Sequence, residues 1–253
     1  MTMSFAPAAP NTTGQVSNDA GHALRVAVFA MATLAEQRGS DTESHLLRVN
    51  KYVRLLAQQL ASRPEFADTL TVDYIDQLCD SVPLYGMGSM GIPDRILLKP
   101  GRLTPDELSI LRTHPKVAYD ALLRAERTLG QTASGLTVAK ELVLSHQEKW
   151  DGTGYPQGLW GAQIPLSARI VALADVYDAL ISNKVYKDGV SHDAAVKILT
   201  AERGKHFDPD VVDAFLAAQA QFAAIAQQHA DTDDDMQRKI EYMANAIAEQ
   251  AHL

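Results

Sequence analysis

Apolar residues recur every three or four positions along most of this chain, and that spacing constrains the fold more than any other feature. Leu24, Val28, Met31 and Leu34 form one such stripe, and Asp41–Ser62 contains a second. A period near 3.6 residues is typical of an amphipathic α-helix, whereas a half-buried strand alternates with a period of two. We find no alternating runs and no internal repeat. The sequence therefore predicts an all-α chain.

Capping residues mark where several predicted helices begin. Thr104-Pro105-Asp106-Glu107 combines an N-cap, a proline at the first helical position and the glutamate of a capping box. Ser191 and Asp208 are natural N-caps. We predict about nine helices, to within a few residues at each end, including segments 72–82, 105–113, 115–129, 137–149, 167–182, 192–203 and 209–229.

The two ends of the chain differ from its middle in amino-acid composition and in predicted structure. Residues 1–17 are rich in Ala, Pro, Asn, Thr and Ser and predict a disordered arm. Residues 18–230 form one predicted helical domain. Residues 231–253 predict an acidic hinge over Asp231–Asp235, followed by a short C-terminal helix at about 236–250.

Composition narrows the class of protein. The formal net charge of −8 argues against a broad nucleic-acid surface, which needs basic side chains to meet phosphates. No apolar run approaches the ~20 residues of a membrane span, and the N-terminus lacks the pattern of a secretory signal. Cys79 is the single cysteine, so no disulfide framework can form. We therefore expect a cytoplasmic protein that binds no nucleic acid and has no membrane span.

Five residues are candidates for a metal site. Asp41 and His45 lie four apart on a predicted helix, His114 and His146 lie at helix ends, and Asp175 interrupts an apolar helix. Imidazole and carboxylate ligands on facing helices are typical of divalent-metal sites in helical bundles.

Each candidate also has an ordinary structural interpretation. Asp41 can be an N-cap, and His114 can bond a helix end. Asp175 can pair with Arg169 or with a lysine. Spacing alone leaves both interpretations open.

The middle of the chain carries an ordered set of motifs. Residues 146–156 are HQEKWDGTGYP, and IPLSARI and ADVYDAL follow at 164–170 and 174–180. GIPD at 91–94, LKPG at 98–101 and HFDP at 206–209 flank them. This set resembles the HD-GYP family of metal-dependent phosphohydrolases over residues 25–220, with Gly154-Tyr155-Pro156 as its signature. The resemblance implies an all-α fold, two or three iron- or manganese-type ions, and hydrolysis of cyclic di-GMP.

The sequence departs from the family at its name-giving dyad. Tyr85 stands in place of the metal-binding histidine, and Gly86 replaces the aspartate that bridges the metals. Ser89 replaces the phosphate-binding lysine, and Ser145 replaces one of two adjacent histidines. The chain's one His-Asp dipeptide, at 192–193, begins a predicted helix, and we do not interpret it as the dyad.

These departures predict a degenerate site. Glycine cannot bridge metals, and tyrosine is a poor substitute for a neutral imidazole. We expect no metal, or one weakly bound divalent ion of the iron or manganese type, at the remaining candidates. The leading hypothesis is a signalling and protein-interaction module in cyclic di-GMP regulation with little or no hydrolysis. An active phosphodiesterase with a remodelled metal site and a structural partner that binds no nucleotide are the alternatives.

Two further regions match family features. The resemblance implies that Lys184, Lys187 and Tyr155 contact cyclic di-GMP, although a solvated basic turn explains the lysines equally well. The loop residues Trp150, Gly154, Tyr155, Pro156 and Trp160 predict a docking surface for a protein such as a GGDEF-type cyclase or an adaptor. In the alternative, the glycines fit the fold and the aromatic residues complete the core. A homodimer is left open.

Overall fold

Helices account for nearly all regular structure in this protein. The computed structural model describes residues 12–38, 42, 44–99, 101–130, 134–183 and 188–250, and these contain no β-strand, only an isolated bridge between Arg203 and Phe207. The α-helices are α1 Thr12–Gln37, α2 Ser44–Ala61, α3 Pro64–Ala67, α4 Val72–Ser81, α5 Asp94–Leu97, α6 Pro105–Leu111, α7 His114–Leu129, α8 Thr137–Ser145, α9 Leu166–Ile181, α10 His192–Ala201, α11 Pro209–Gln228 and α12 Asp233–Gln250. Short 3-10 segments cover Val82–Gly91, Ser134–Leu136 and Gly161–Gln163.

The predicted all-α architecture is confirmed, and several predicted caps are present. Thr104 and Glu107 form the complete capping box of α6. The side chains of Ser191 and Asp208 accept hydrogen bonds at the starts of α10 and α11. The capping residues therefore mark the starts of these three helices, as the sequence predicted.

Three boundaries differ from expectation. α1 begins at Thr12, inside the predicted arm, whose first 11 residues lie outside the described part of the chain. The described residues contain twelve α-helices rather than about nine, among them the four-residue helices α3 and α5, and the glycine-rich stretch ending at Gly91 is a 3-10 helix. The predicted acidic hinge is wrong in its second half, because Asp233–Asp235 form the first turn of α12, where carboxylates favour the helix dipole.

The core is centred on α2, which packs against α9 and α11. Val49, Val53 and Leu56 are fully buried on one face of α2. The Tyr52 ring stacks on Phe222 of α11 with centroids 4.6 Å apart and meets the Tyr177 ring of α9 edge to face at 5.2 Å. This packing fixes α2 against α9 and so sets the separation between the polar residues at their ends.

The 3-10 segment Val82–Gly91 lies between α1, α7 and α8. A Cβ atom on Gly88 would lie 1.9 Å from the carbonyl oxygen of His114, so only glycine permits this approach to the start of α7. The close approach brings Tyr85 and His114 to the walls of the same cavity.

No helix in the described ranges has both the length and the apolar character needed to cross a bilayer.

Candidate active site

A cavity of about 250 Å³ collects most of the predicted site positions. Its walls come from α1, α2, the 3-10 segment 82–91, α5, α6, α7 and α9, with two residues that follow α8. The lining residues are Ala35, Glu36, His45, Tyr85, Gly86, Ser89, Leu97, Leu111, His114, His146, Gln147 and Asp175. Four of the five metal candidates and three of the four positions predicted to be degenerate therefore face one space.

The Tyr85 hydroxyl connects two of the metal candidates. It donates a hydrogen bond to Asp175 Oδ1 at 2.7 Å, and its oxygen lies 2.8 Å from His45 Nε2. Burial and the charge of Asp175 raise the pKa of Tyr85 well above its ordinary value, so the hydroxyl keeps its proton. Because that proton is directed at Asp175, the oxygen accepts the hydrogen bond from His45.

His45 is consequently a double donor. Its Nδ1 lies 2.8 Å from Asp178 Oδ2, so both ring nitrogens carry a proton and the ring is an imidazolium. Burial acts to lower the pKa of His45, but the hydrogen bond to Asp178 and the nearby charges of Asp178, Glu36 and Asp175 raise it to about 9. An imidazolium has no lone pair to offer a metal.

Asp178 is held in turn by Arg48, and neither residue was predicted as part of the site. Both are buried, and the Arg48 guanidinium contacts the carboxylate with two nitrogens at 2.7 and 3.0 Å. Burial acts to raise the pKa of Asp178, but the hydrogen bonds and charges of His45 and Arg48 hold it below the ordinary value. Asp178 is therefore a buried carboxylate with a positive partner on each side.

His114 and His146 form a second cluster in the cavity. Their Nε2 atoms lie 3.2 Å apart, and their Nδ1 atoms lie 2.9 and 3.1 Å from the carbonyl oxygens of Leu111 and Val143. The carbonyls fix the protons on Nδ1, so the two Nε2 lone pairs face each other. Burial lowers the pKa of His114, and burial with the adjacent His114 lowers that of His146 to about 3.

The loop after α8 closes one side of the cavity. The Tyr155 hydroxyl donates to Gln147 Oε1 at 3.1 Å, and the Arg112 guanidinium carbon lies 5.3 Å from the centroid of the Tyr155 ring. The His114 and Tyr155 ring centroids are 6.3 Å apart. Tyr155 therefore contacts two residues that line the cavity, Gln147 and His114, without being part of the lining itself.

Backbone constraints explain the glycine at 154. A Cβ atom there would lie 2.3 Å from the Lys149 amide nitrogen. The buried Glu148 carboxylate accepts hydrogen bonds from the amides of Gln157 and Leu159 at 2.7 and 3.1 Å, and the Tyr155–Pro156 peptide is cis. Glu148 was not predicted as a loop anchor, although it lies inside the motif.

The two tryptophans of the loop have different surroundings. Trp160 is 63% exposed, whereas Trp150 is half-buried with the Arg169 guanidinium carbon 5.8 Å from its ring centroid. Arg169 also pairs with Asp208 at 2.6 Å, so it is not the partner of Asp175. The exposed surface of the loop is therefore centred on Trp160.

Three predicted site residues have no described position. Asp41, Lys184 and Lys187 lie outside the described residues. Ser145 is buried at the end of α8 and does not line the cavity. The His-Asp dipeptide at 192–193 begins α10 and lies outside the lining of this cavity.

Comparison with known proteins identifies the family. The HD domain family matches residues 30–211, which is more than half of the chain. The chain is 52% identical over 206 residues to a protein of Vibrio cholerae named cyclic di-GMP phosphodiesterase. This chain belongs to the HD domain family, in its HD-GYP branch.

A response regulator is also similar to this chain. The HD-GYP chain is 38% identical over 211 residues to the cyclic di-GMP phosphodiesterase response regulator RpfG of Xanthomonas campestris. These alignments cover 81% and 83% of the chain but 42% and 52% of the Vibrio and Xanthomonas proteins, so the chain spans about half of their length. A solved HDG"Y"P protein from Bdellovibrio bacteriovorus has the same fold, with a TM-score of 0.50 and 18% identity over 72% of this chain and 54% of that one.

The donors in this HD-GYP cavity do not fit the two- or three-metal centre that the resemblance implies. Gly86 offers no side chain, Tyr85 keeps its proton, and His45 uses both nitrogens as donors. Among the described residues, no group of three or more His, Cys, Asp or Glu side chains is arranged to hold a metal ion. The paired Nε2 atoms of His114 and His146 are the donor set best suited to a single ion.

The His45 imidazolium predicts a pH dependence of stability. A histidine whose folded pKa is raised contributes stability that is fully present below its unfolded pKa of about 6.5 and lost as the pH rises through the folded value. With a folded pKa of about 9, the contribution is about 3 kcal/mol. We expect the free energy of unfolding in urea to fall between pH 6.5 and 9.5.

The matched variants are His45→Gln, which should flatten this slope, and His22→Gln at an exposed histidine, which should leave it unchanged. Equal unfolding free energies of the wild type at the two pH values contradict the imidazolium assignment.

Proposed function

We propose that this HD-GYP domain is a degenerate member that acts as a signalling and interaction module in cyclic di-GMP regulation, with little or no hydrolysis of the nucleotide. The observation that supports this most directly is the Tyr85 hydroxyl, which bonds both His45 and Asp175. The choice of cyclic di-GMP rests on the names of the relatives. The expected loss of catalysis rests on Tyr85 and Gly86, which stand in place of the family's His-Asp dyad.

The electrostatics of the cavity disfavour hydrolysis. Metal-dependent phosphohydrolysis needs an activated water and a positive centre that neutralises the phosphate in the transition state. In this cavity the positive charge of His45 is neutralised by Asp178 and lies next to Asp175. Ser89 stands in place of the family lysine and carries no charge. The cavity therefore lacks the net positive charge that a phosphodiester transition state requires.

The first test is a turnover assay. Pure protein supplied with Mn²⁺ or Fe²⁺ should hydrolyse cyclic di-GMP at the rate of a protein-free control. Metal analysis after dialysis should give no ion, or less than one ion, per chain. Robust metal-dependent turnover that His146→Ala or Asp175→Ala abolishes contradicts the proposal.

A second candidate function is an active phosphodiesterase with a remodelled metal site. The convergent Nε2 atoms of His114 and His146, 3.2 Å apart, favour it because they match the way histidines are oriented for metal ligation. The 52% identity to a protein named cyclic di-GMP phosphodiesterase supports the same alternative. The turnover assay separates the two candidates directly.

The interaction role is assigned to the loop surface around Trp160. Trp160 is a large exposed aromatic residue on a loop held rigid by the Glu148 carboxylate, and rigid exposed aromatic side chains are typical anchors of protein interfaces. We infer that this surface docks a GGDEF-type cyclase or an adaptor, and that docking needs no metal. In the alternative, the loop only completes the fold.

A binding isotherm with the candidate partner tests this role. Trp160→Ala should weaken binding by at least about tenfold, which corresponds to 1.4 kcal/mol, and Tyr155→Ala should also weaken it. The matched control is Leu129→Ala. Leu129 is an exposed apolar residue at the end of α7, outside the loop, so its substitution should leave binding unchanged. If Trp160→Ala and Tyr155→Ala both bind the partner as tightly as the wild type, the docking role is wrong and the loop has only a structural role.

A further inference from the structure

The floor of the candidate active-site cavity is unsuited to an anion. Its described lining contains no lysine or arginine, and Glu36 and Asp175 both line it. Its one cation, His45, lies 3.7, 3.6 and 2.8 Å from the carboxylates of Glu36, Asp175 and Asp178. A phosphate at the floor would face these carboxylates without a free cation to offset them. A phosphate group therefore needs a cation at the rim of the cavity.

Arg112 provides a cation next to the cavity wall. It directly follows Leu111, a lining residue, and its guanidinium carbon lies 5.3 Å from the centroid of the Tyr155 ring. Tyr155 in turn contacts the lining residues Gln147 and His114. Arg112 and Tyr155 together form what we call the rim.

The guanidinium of Arg112 is free to bind a ligand. The side chain is exposed and forms no ion pair or hydrogen bond with the residues that the structure describes. By contrast, several arginines elsewhere in the chain pair with a carboxylate of the same chain: Arg25, Arg38, Arg48, Arg54, Arg63, Arg169, Arg203 and Arg238. A guanidinium that rests on an aromatic ring keeps its planar set of N–H donors available, and that set matches the oxygens of a phosphate.

The size of the cavity also directs a nucleotide toward this rim. Its volume of about 250 Å³ is below the ~300–1,000 Å³ of pockets that enclose a drug-sized ligand. A cyclic dinucleotide can therefore enter only in part, and the remainder must lie across the rim, where Arg112 and Tyr155 offer a cation and an aromatic ring.

We propose that Arg112 binds a phosphate of a cyclic dinucleotide at the rim and so supplies a positive charge that Ser89 does not. Arg112 acts as a ligand-positioning residue, with its guanidinium held by the Tyr155 ring. This inference rests on the proposed function for its choice of nucleotide, which comes from the names of the relatives.

Isothermal titration of the full chain with cyclic di-GMP tests the contact. Arg112→Gln should raise the dissociation constant by at least about tenfold, because it removes a charge-assisted hydrogen bond to phosphate. Arg112→Lys keeps the charge without the planar fork and should bind more tightly than Arg112→Gln.

The matched control is Arg124→Gln, which removes the same charge further along α7. Arg124 is also exposed and without an ion pair among the described residues, but it lies about 15 Å along the helix from His114. Its substitution should leave the dissociation constant unchanged.

Salt separates a phosphate contact from a packing role of Arg112 against Tyr155. Raising NaCl from about 0.1 to about 1 M shortens the Debye length from ~10 to ~3 Å and weakens contacts between exposed charges. The affinity of the wild type should therefore fall more steeply with salt than that of Arg112→Gln. Equal salt dependence in the two proteins overturns the phosphate contact even if Arg112→Gln binds more weakly.

Three other results overturn the inference. They are an unchanged dissociation constant in Arg112→Gln, an equal loss in Arg124→Gln, and an affinity of Arg112→Lys no higher than that of Arg112→Gln. Absence of cyclic di-GMP binding by the wild type also overturns it. The docking role of Trp160 is measured separately by the isotherm with the protein partner, so that role can hold where the Arg112 contact fails.

Discussion

The double variant Tyr85→His/Gly86→Asp is expected to retain at least one more divalent ion per chain than the wild type after dialysis. The substitution of Tyr85 removes the hydroxyl that is hydrogen-bonded to His45 and Asp175, so these two side chains become available to a metal ion. The new histidine and aspartate are themselves ligands that divalent transition metals accept. A Cβ atom on Gly86 meets nothing within 4 Å, so the new carboxylate has room in the cavity. Elemental analysis after purification with Mn²⁺ or Fe²⁺ measures the gain.

The matched control is Tyr85→Phe/Gly86→Ala, which removes the same hydroxyl and adds the same Cβ but supplies no ligand. This control should hold no more metal than the wild type. Equal metal content in the two double variants contradicts the idea that the altered dyad is what limits metal binding.

Adding Ser89→Lys to the metal-binding variant should also produce hydrolysis. Ser89 lines the cavity, so a lysine there can reach a phosphate that enters it. Restoring metal and lysine together should raise turnover of cyclic di-GMP by at least about 100-fold over the wild type, the size of effect that a single transition-state contact supplies. If this variant binds metal fully but hydrolyses cyclic di-GMP no faster than the wild type, the loss of catalysis has another cause than these three positions.

The fold could be predicted from the sequence because its determinants are local. The capping box at Thr104, the caps at Ser191 and Asp208, and the apolar stripe of α2 each act over a few residues. The acidic stretch at 231–235 was harder, because aspartates suit both a solvated linker and the first turn of a helix. Thr232 decides between them, since its hydroxyl accepts from the Asp235 amide and its own amide donates to the Asp235 carboxylate.

The site could be predicted only in part, because its remaining determinants are distant in sequence. The metal candidates were predicted from their positions on helices and at helix ends, and the structure brings His45, His114, His146 and Asp175 to one cavity. The role of Tyr85 as a hydrogen-bonding bridge has no local signal. Arg48 and Asp178 are 130 positions apart, and nothing in either helix alone shows that they pair.

That pair carries the largest stability effect that we expect. Arg48→Met should lower the free energy of unfolding by about 3–5 kcal/mol, the usual cost of removing one partner from a buried ion pair. Methionine retains the length of the side chain but leaves Asp178, which is fully buried, with His45 as its only positive partner. It also frees Asp231, Ser182 and the carbonyl oxygen of His229 from their hydrogen bonds to Arg48.

The matched control is Arg54→Met on the same helix. Arg54 pairs with Asp76 at 2.8 Å, but the two side chains are 42% and 47% exposed, and such surface pairs contribute at most about 1 kcal/mol. Urea unfolding of the wild type and both variants at pH 7 gives the comparison. If Arg48→Met costs no more than Arg54→Met, the guanidinium is not what stabilises the Asp178 carboxylate. The His45 imidazolium alone must then neutralise it, and the loss of stability with rising pH should extend to a higher pH.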